Sequence, residues 1–182
     1  MEMEFRFLYW LQELHTPVMD EVMTAITFLG DSGWFWIGLG ILLAASPKTR
    51  KTGVAVLISL AAGFLIGNLV IKNLAARQRP CWLDSAIPLL IEIPGDYSFP
   101  SGHSLASFEG AVSILLYHKK WGLAAVVLAA LIAFSRLYLF VHFPTDVLAG
   151  TLLGILIAVL VHRWMESPRR KWNQQAEVGK NG

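Results

Sequence analysis

The chain has 182 residues, of which 55% are hydrophobic and only 15% charged, and its formal net charge is a modest +2; this is the composition of a protein that lives in lipid, not of a soluble domain. Its single cysteine, Cys81, excludes an internal disulfide and any cysteine-rich metal centre. The long apolar runs lack the short alternation of barrel strands, and in lipid every backbone polar group must be satisfied within its own segment, so the spanning elements are expected to be helices.

In chain order, residues 1–30 come first, where Glu2, Glu4, Arg6, Glu13, Asp20 and Glu21 interleave with Phe5, Leu8, Trp10, Val22 and Ile26. That pattern predicts one or two amphipathic helices, broken near Thr16-Pro17, lying on the outer membrane face. The start is acidic and no small-residue cleavage site follows, so it does not read as a secretory signal. A first span is expected over 33–46, with Trp34, Phe35 and Trp36 as its aromatic belt and Gly30-Asp31-Ser32 near the headgroups, and a second over 51–72. Residues 73–99 form the longest connection, with Pro80, Pro88, Pro94 and Gly95. Its centre, Ile87-Pro88-Leu89-Leu90-Ile91, is too apolar for a solvated loop, which leaves two readings open: packing on the bundle, or a lid or acyl-chain contact. Further spans are expected over 101–117, 120–138 and 144–164, the last two rich in the Gly and Ala that close packing in lipid requires. The expected fold is therefore all-α: an integral membrane helical bundle of about five spans (31–166), preceded by an interfacial region (1–30) and followed by a cytoplasmic tail (167–182).

Alternation of direction then gathers the chain's unusual residues. Lys72 and Arg136 stand at the exits of two apolar runs, 53–71 and 121–135, while Ser101 and Pro144 stand at the entrances of two more. If successive spans run in opposite directions, all four positions share one leaflet. The segments expected on the other side, Lys48 to Lys51, Lys119-Lys120 and the tail from Arg163 to Lys180, hold ten of the 15 Lys and Arg. By the positive-inside rule that side is cytoplasmic and the clusters are extracytoplasmic.

These clusters have the chemistry of a phosphate site. Ser101 is a good N-cap, and Gly102 lets a ligand approach the free N–H groups of a helix start; Pro144 opens a second such start. Lys72, Arg79 and Arg136 supply the countercharge, the arginines with bidentate donors. One such arginine alone would read as interfacial snorkelling, but three cations beside two helix starts ask for an anion. His142 lies four residues before Asp146, so the carboxylate can orient one imidazole nitrogen and leave the other as a nucleophile, with His103 as a second base. His15, His118 and His162 lack such surroundings and receive no role. Two histidines and one aspartate among three cations would repel a dication, so no metal or other cofactor is expected. Glu109, inside the third apolar run, is a functional candidate by its depth, but a protonated or paired carboxyl within the bundle is the preferred reading.

The strings KNLAARQRP, SFPSGHS and SRLYLFVHFPTD, together spanning 72–146, resemble the three signature motifs of the type 2 phosphatidic acid phosphatase superfamily, which also holds vanadium haloperoxidases and glucose 6-phosphatase. The resemblance implies that His142 is a nucleophile forming a phosphohistidine, Asp146 its orienting partner and His103 the general acid and base. Lys72, Arg79, Ser101, Gly102 and Arg136 become the phosphate cradle, and no metal is needed. It implies a multi-pass cell-membrane lipid phosphatase that removes a terminal phosphate from a lipid phosphate or diphosphate at the outer leaflet. Undecaprenyl diphosphate is the first candidate, with phosphatidylglycerol phosphate and phosphatidic acid as rivals. The common six-span members have one more amino-terminal helix, whose place residues 1–15 take here. A haloperoxidase is disfavoured because those relatives are larger soluble chains. A non-catalytic lipid-headgroup binding or transport protein is disfavoured because binding needs neither a nucleophile nor an acid. The expected partners are the lipid substrate and the membrane, with no nucleic acid; oligomeric state is left open.

Overall fold

The structure is a computed structural model and describes residues 1–167. The expected tail, with Arg169, Arg170, Lys171 and Lys180, lies outside the described residues apart from its first position. All regular elements among the described residues are helical.

Two helices cover the amino-terminal region, α1 (Glu2–Gln12) and α2 (Pro17–Phe28). The break falls at Thr16, whose hydroxyl accepts the Met19 N–H at 3.3 Å while Pro17 takes the first turn. The amphipathic pattern of α1 is used against protein: Leu8 and Leu11 are buried in a cluster with Tyr138, Phe140 and Phe143, and Phe5 packs edge-on to Phe143 at 5.2 Å. This region therefore braces the segment 138–143 instead of merely lying at the interface.

A 3₁₀ turn (Asp31–Gly33) joins α2 to α3 (Trp34–Ala45). Ser32 and Gly33 adopt left-handed backbone there, at φ 50° and 66°, and the two helices meet at a 42° bend. Together they are long and apolar enough for one broken span. α4 (Arg50–Gly63) continues without a break into a π-helical segment (Phe64–Ile71) and the short α5 (Lys72–Ala75). The Lys72 N–H bonds to Gly67 O, five residues back, which displaces Lys72 from its α-helical position. Ala76 in left-handed conformation stops the helix, and α6 (Pro80–Leu83) is a single turn.

α7 (Gly102–Tyr117) is the centre of the bundle, packed on α3, α4, α8 (Lys119–Tyr138) and α9 (Pro144–Glu166). At 16 residues it is short of a full span, and its surroundings are protein: Ser104, Ser107, Glu109 and Ser113 are all buried. Trp36 Nε1 donates to Ser107 Oγ at 3.1 Å, and Ser59 and Ser113 hydroxyls pair at 3.2 Å, so the central helix carries polar cross-links. α9 shows the opposite distribution. Gly150 and Gly154 face α7, where a Cβ would come within 2.5 Å of Ser101 O and 2.6 Å of Leu105 O. Leu148, Leu152, Leu156 and Leu160 form a stripe, each more than half exposed, that only hydrocarbon would solvate.

Of the expected spans, those at 51–72, 120–138 and 144–164 are helices that meet the length and hydropathy of a crossing; the one at 33–46 is the second arm of the bent pair, and the one at 101–117 is the short central helix. The greasy centre of 73–99 packs on the bundle: Ile87, Leu89 and Ile91 rest on the Leu8–Phe140 cluster, and Trp82 Nε1 donates to Pro94 O at 3.1 Å.

Candidate active site

The starts of α7 and α9 are tied directly together. Ser101 caps α7 by accepting the Ser104 N–H at 3.4 Å, and its own N–H donates to Asp146 O at 3.0 Å. At the α9 start, Asp146 Oδ2 accepts the Phe143 N–H at 2.8 Å, which caps that helix with the carboxylate and fixes its direction. The two entrances that alternation of spans put on one side are in hydrogen-bond contact.

Asp146 is fully buried and held from three directions. Besides the Phe143 N–H, the Ser98 hydroxyl donates to Oδ2 at 2.5 Å and Arg77 Nη1 donates to Oδ1 at 2.6 Å. His142 Nδ1 stands 3.3 Å from Ser98 Oγ and 3.7 Å from Asp146 Oδ2. The carboxylate therefore reaches the imidazole chiefly through Ser98. On the other side of the ring, Arg79 Nη1 lies 3.0 Å from His142 Nε2. A guanidinium only donates, so Nε2 must accept and the proton sits on Nδ1. The lone pair of Nε2 is thereby directed to the arginine side, into a cavity of about 560 Å³.

The same cavity is lined by Lys72, Arg79, Gly102, His103, Arg136 and Glu109. The structure thus brings the sequence-predicted set to one place, with Ser101 and Asp146 in the shell behind it. The buried Arg136 donates from Nη1 to Thr27 Oγ1 at 2.5 Å, while its Nε has no partner among the described residues. Lys72 Nζ donates to Asp96 Oδ2 and Arg79 Nη2 to Asp96 Oδ1, both at 2.6 Å; Arg79 Nε also donates to Asp96 O at 2.7 Å. His103 Nε2 meets Asp31 Oδ1 at 2.9 Å.

Four side chains of this site received no role from the sequence. Asp31 and Asp96 carried no signal, because each meets its partner only through the bend before α3 or the loop before Ser98. Ser98 and Arg77 do lie within the strings SFPSGHS and KNLAARQRP. Arg77 forms a clasp over the α9 start: it donates to Thr145 Oγ1 at 2.7 Å and Glu4 Oε2 at 2.8 Å, and lies 4.2 Å from the Phe143 ring centroid. Burial pushes the Glu4 carboxyl up, but the Thr145 hydroxyl and the Arg77 charge outweigh it and hold it below the usual range. Phe140, at φ 59°, turns the backbone between Arg136 and His142, a strained position braced by α1. Glu109 is deeper in the cavity, in space left by the missing Cβ of Gly63, and it has no hydrogen-bond or ion-pair partner among the described residues. The paired reading of Glu109 is therefore dropped.

Comparison with known proteins agrees with these motifs. The family model described as the PAP2 superfamily matches residues 52–170. The chain is 39% identical over 138 residues to a protein of Sulfolobus acidocaldarius named undecaprenyl-diphosphatase, covering 74% of this chain and 66% of that one, just under two thirds of its length. It is 38% identical over 169 residues to phosphatidylglycerophosphatase B of Bacillus subtilis, covering 86% of this chain and 80% of that one. Among solved structures, a PAP2-type phosphatidylglycerolphosphate phosphatase from Bacillus subtilis superposes with a TM-score of 0.76 at 29% identity, covering 92% of this chain and 86% of that one. The chain belongs to the PAP2 superfamily, among its membrane lipid phosphatases.

Proposed function

We propose that this protein hydrolyses the terminal phosphate of a lipid diphosphate, undecaprenyl diphosphate first, at the extracytoplasmic leaflet through a phosphohistidine on His142. The observation that carries this reading is the polarity of His142: Nδ1–H faces Ser98 and Asp146, and Nε2 faces a cavity lined by Lys72, Arg79, Arg136 and His103. Arg79 Nη1 first moves from Nε2 to a phosphoryl oxygen, which frees the Nε2 lone pair. Nε2 then attacks the terminal phosphorus in line with the leaving oxygen; a P–N bond forms as the P–O bond breaks, and His103 gives the leaving oxygen its proton. The transferred oxygens rest on the three cations and the N–H groups at the α7 start, the electrostatic support that phosphoryl transfer requires. Asp146, through Ser98, steadies the imidazolium that results. His103 then takes a proton from water, which attacks the phosphorus, breaks the P–N bond and releases inorganic phosphate. The cavity continues along Ile37, Leu57, Leu60, Phe64 and Leu105, an apolar wall suited to the lipid portion.

Phosphatidylglycerol phosphate is the second reading, favoured by the Bacillus subtilis relative and by the superposed structure. Phosphate release by the detergent-solubilised full chain, measured across isoprenyl diphosphates, phosphatidylglycerol phosphate and phosphatidic acid, is expected to be fastest with the first. Rapid-quench trapping with a labelled, activated aryl phosphate tests the chemistry. A leaving group of low pKa bypasses the acid, so His103→Ala still accumulates acid-labile label while His142→Ala takes none. Label on His142→Ala, or none on a folded His103→Ala, overturns the assignment.

A further inference from the structure

Two of the three cations facing the cavity are already occupied by an anion belonging to the protein. The Asp96 carboxylate spreads its two oxygens over Lys72 Nζ and Arg79 Nη2, each at 2.6 Å, as two oxygens of a phosphoryl group would be shared between the same donors. Lys72 and Arg79 are almost wholly buried, whereas the Asp96 side chain is 57% exposed. The anion, not the cations, is the partner free to leave.

We propose that Asp96 is a specificity-determining residue: an internal anion that occupies the phosphate cradle between turnovers and is displaced by the substrate phosphoryl group, so that the site selects lipid phosphates over soluble ones. An incoming phosphate and the Asp96 carboxylate compete for the same donors. Every phosphate must displace it, but only a lipid phosphate also buries a tail against Ile37, Leu57, Leu60, Phe64 and Leu105, and that burial offsets the displacement. Inorganic phosphate, the product, gains no such compensation and is expelled, which clears the site for the next turnover.

The loop is built for a side chain that swings on a fixed backbone. Arg79 Nε holds Asp96 O at 2.7 Å, the Ser98 N–H donates to Arg77 O at 2.8 Å, and Trp82 Nε1 holds Pro94 O at 3.1 Å, so both sides of Asp96 stay anchored while its carboxylate turns to water. Burial pushes the Asp96 carboxyl up, but the Lys72 hydrogen bond and charge, then those of Arg79, outweigh it and pull it down to about 2. It therefore remains an anion at working pH, and displacement, not protonation, opens the cradle. The remaining cation, Arg136, makes its side-chain hydrogen bond to Thr27 and none to Asp96 among the described residues, and stays available for the first capture of the phosphate.

This inference rests on the phosphate-site reading, and the test separates the two. The full chain in detergent is compared with Asp96→Asn, Asp96→Ala and, as a charge control outside the site, Asp84→Asn. Equilibrium binding of labelled inorganic phosphate, which needs no turnover, is expected to tighten by roughly tenfold or more in both Asp96 variants, the scale of freeing two charge-assisted contacts. In turnover, the kcat/KM for para-nitrophenyl phosphate relative to that for the lipid substrate is expected to rise by about the same factor, while Asp84→Asn keeps the wild-type ratio. Phosphate binding that is unchanged or weaker in folded Asp96 variants overturns the proposal, as does failure of both to fold, which would make Asp96 a structural clasp. A wild-type protein that releases phosphate from no lipid would sink the phosphatase reading, yet leaves the binding comparison decisive.

Discussion

Arg136 is the cradle cation with the least support from the protein itself. It is almost fully buried and, among the described residues, makes one side-chain hydrogen bond, to Thr27, and keeps its Nε unpartnered on the cavity wall, where Lys72 and Arg79 already share Asp96. A buried guanidinium with unused donors is poised for the planar, two-point grip that an ammonium cannot give. Arg136→Lys is expected to lower kcat/KM on the lipid substrate by about 30-fold to 1000-fold, roughly 2 to 4 kcal/mol of transition-state stabilisation. Near wild-type turnover in that variant would leave Arg136 as an anchor for α2. The neighbouring residues divide the labour differently from the sequence reading. His142 and Asp146 were legible as a pair from their four-residue spacing, but at 3.7 Å they do not share a good hydrogen bond, and Ser98, 44 positions before His142, completes the link.

At the scale of elements, the site depends on two helix starts held face to face. The Ser101 N–H to Asp146 O bond crosses between α7 and α9, and one turn further Gly150 lets the backbones come that close. A methyl group at Gly150 would meet Ser101 O at 2.5 Å, and backbone cannot move aside as a side-chain tip does. Gly150→Ala is therefore expected to push α9 off the α7 start, to cost about 1 to 3 kcal/mol as overpacking does, and to lower turnover because Asp146 and Ser101 separate. A lowered detergent melting temperature together with reduced phosphate release checks it; wild-type values for both would show that the approach is not needed. The amino-terminal helices act on the same site from behind. α1 seats Leu8 and Leu11 under Phe140 and brings Glu4 to Arg77, the cation that holds Asp146. The charge pattern of 1–15 marked α1 as amphipathic, but not what its apolar face would meet.

At the scale of the molecule, charge and hydropathy give the chain a direction. Lys48, Arg50, Lys51, Lys119 and Lys120 gather at the turns remote from the cavity, while Lys72, Arg77, Arg79 and Arg136 serve the site and its shell. By the positive-inside rule this asymmetry supports the proposed outward-facing cavity. In a background where Cys81 is replaced by serine, single cysteines at Ser85 and Lys119 are expected to react with an impermeant thiol reagent from opposite sides of intact cells. Reaction of both from one side would remove the alternation argument and the outer-leaflet proposal with it.

Apolar run length determined the helices, and the alternation of four runs was enough to bring Lys72, Ser101, Arg136 and Pro144 to one end, because in lipid a spanning segment has no other way to satisfy its backbone. Residue type and spacing made the phosphate chemistry legible, since cations, helix caps and a histidine–aspartate pair keep their meaning wherever they meet. The tertiary structure alone decided the partners that come from distant loops: Asp31 on His103, Ser98 between His142 and Asp146, Arg77 on Asp146, and Asp96 across Lys72 and Arg79. Their contacts depend on where the left-handed Ser32 and Gly33, the stop at Ala76 and the packed 84–99 segment direct the chain. Such directions arise from packing among elements far apart in sequence, and no local pattern of residues encodes them.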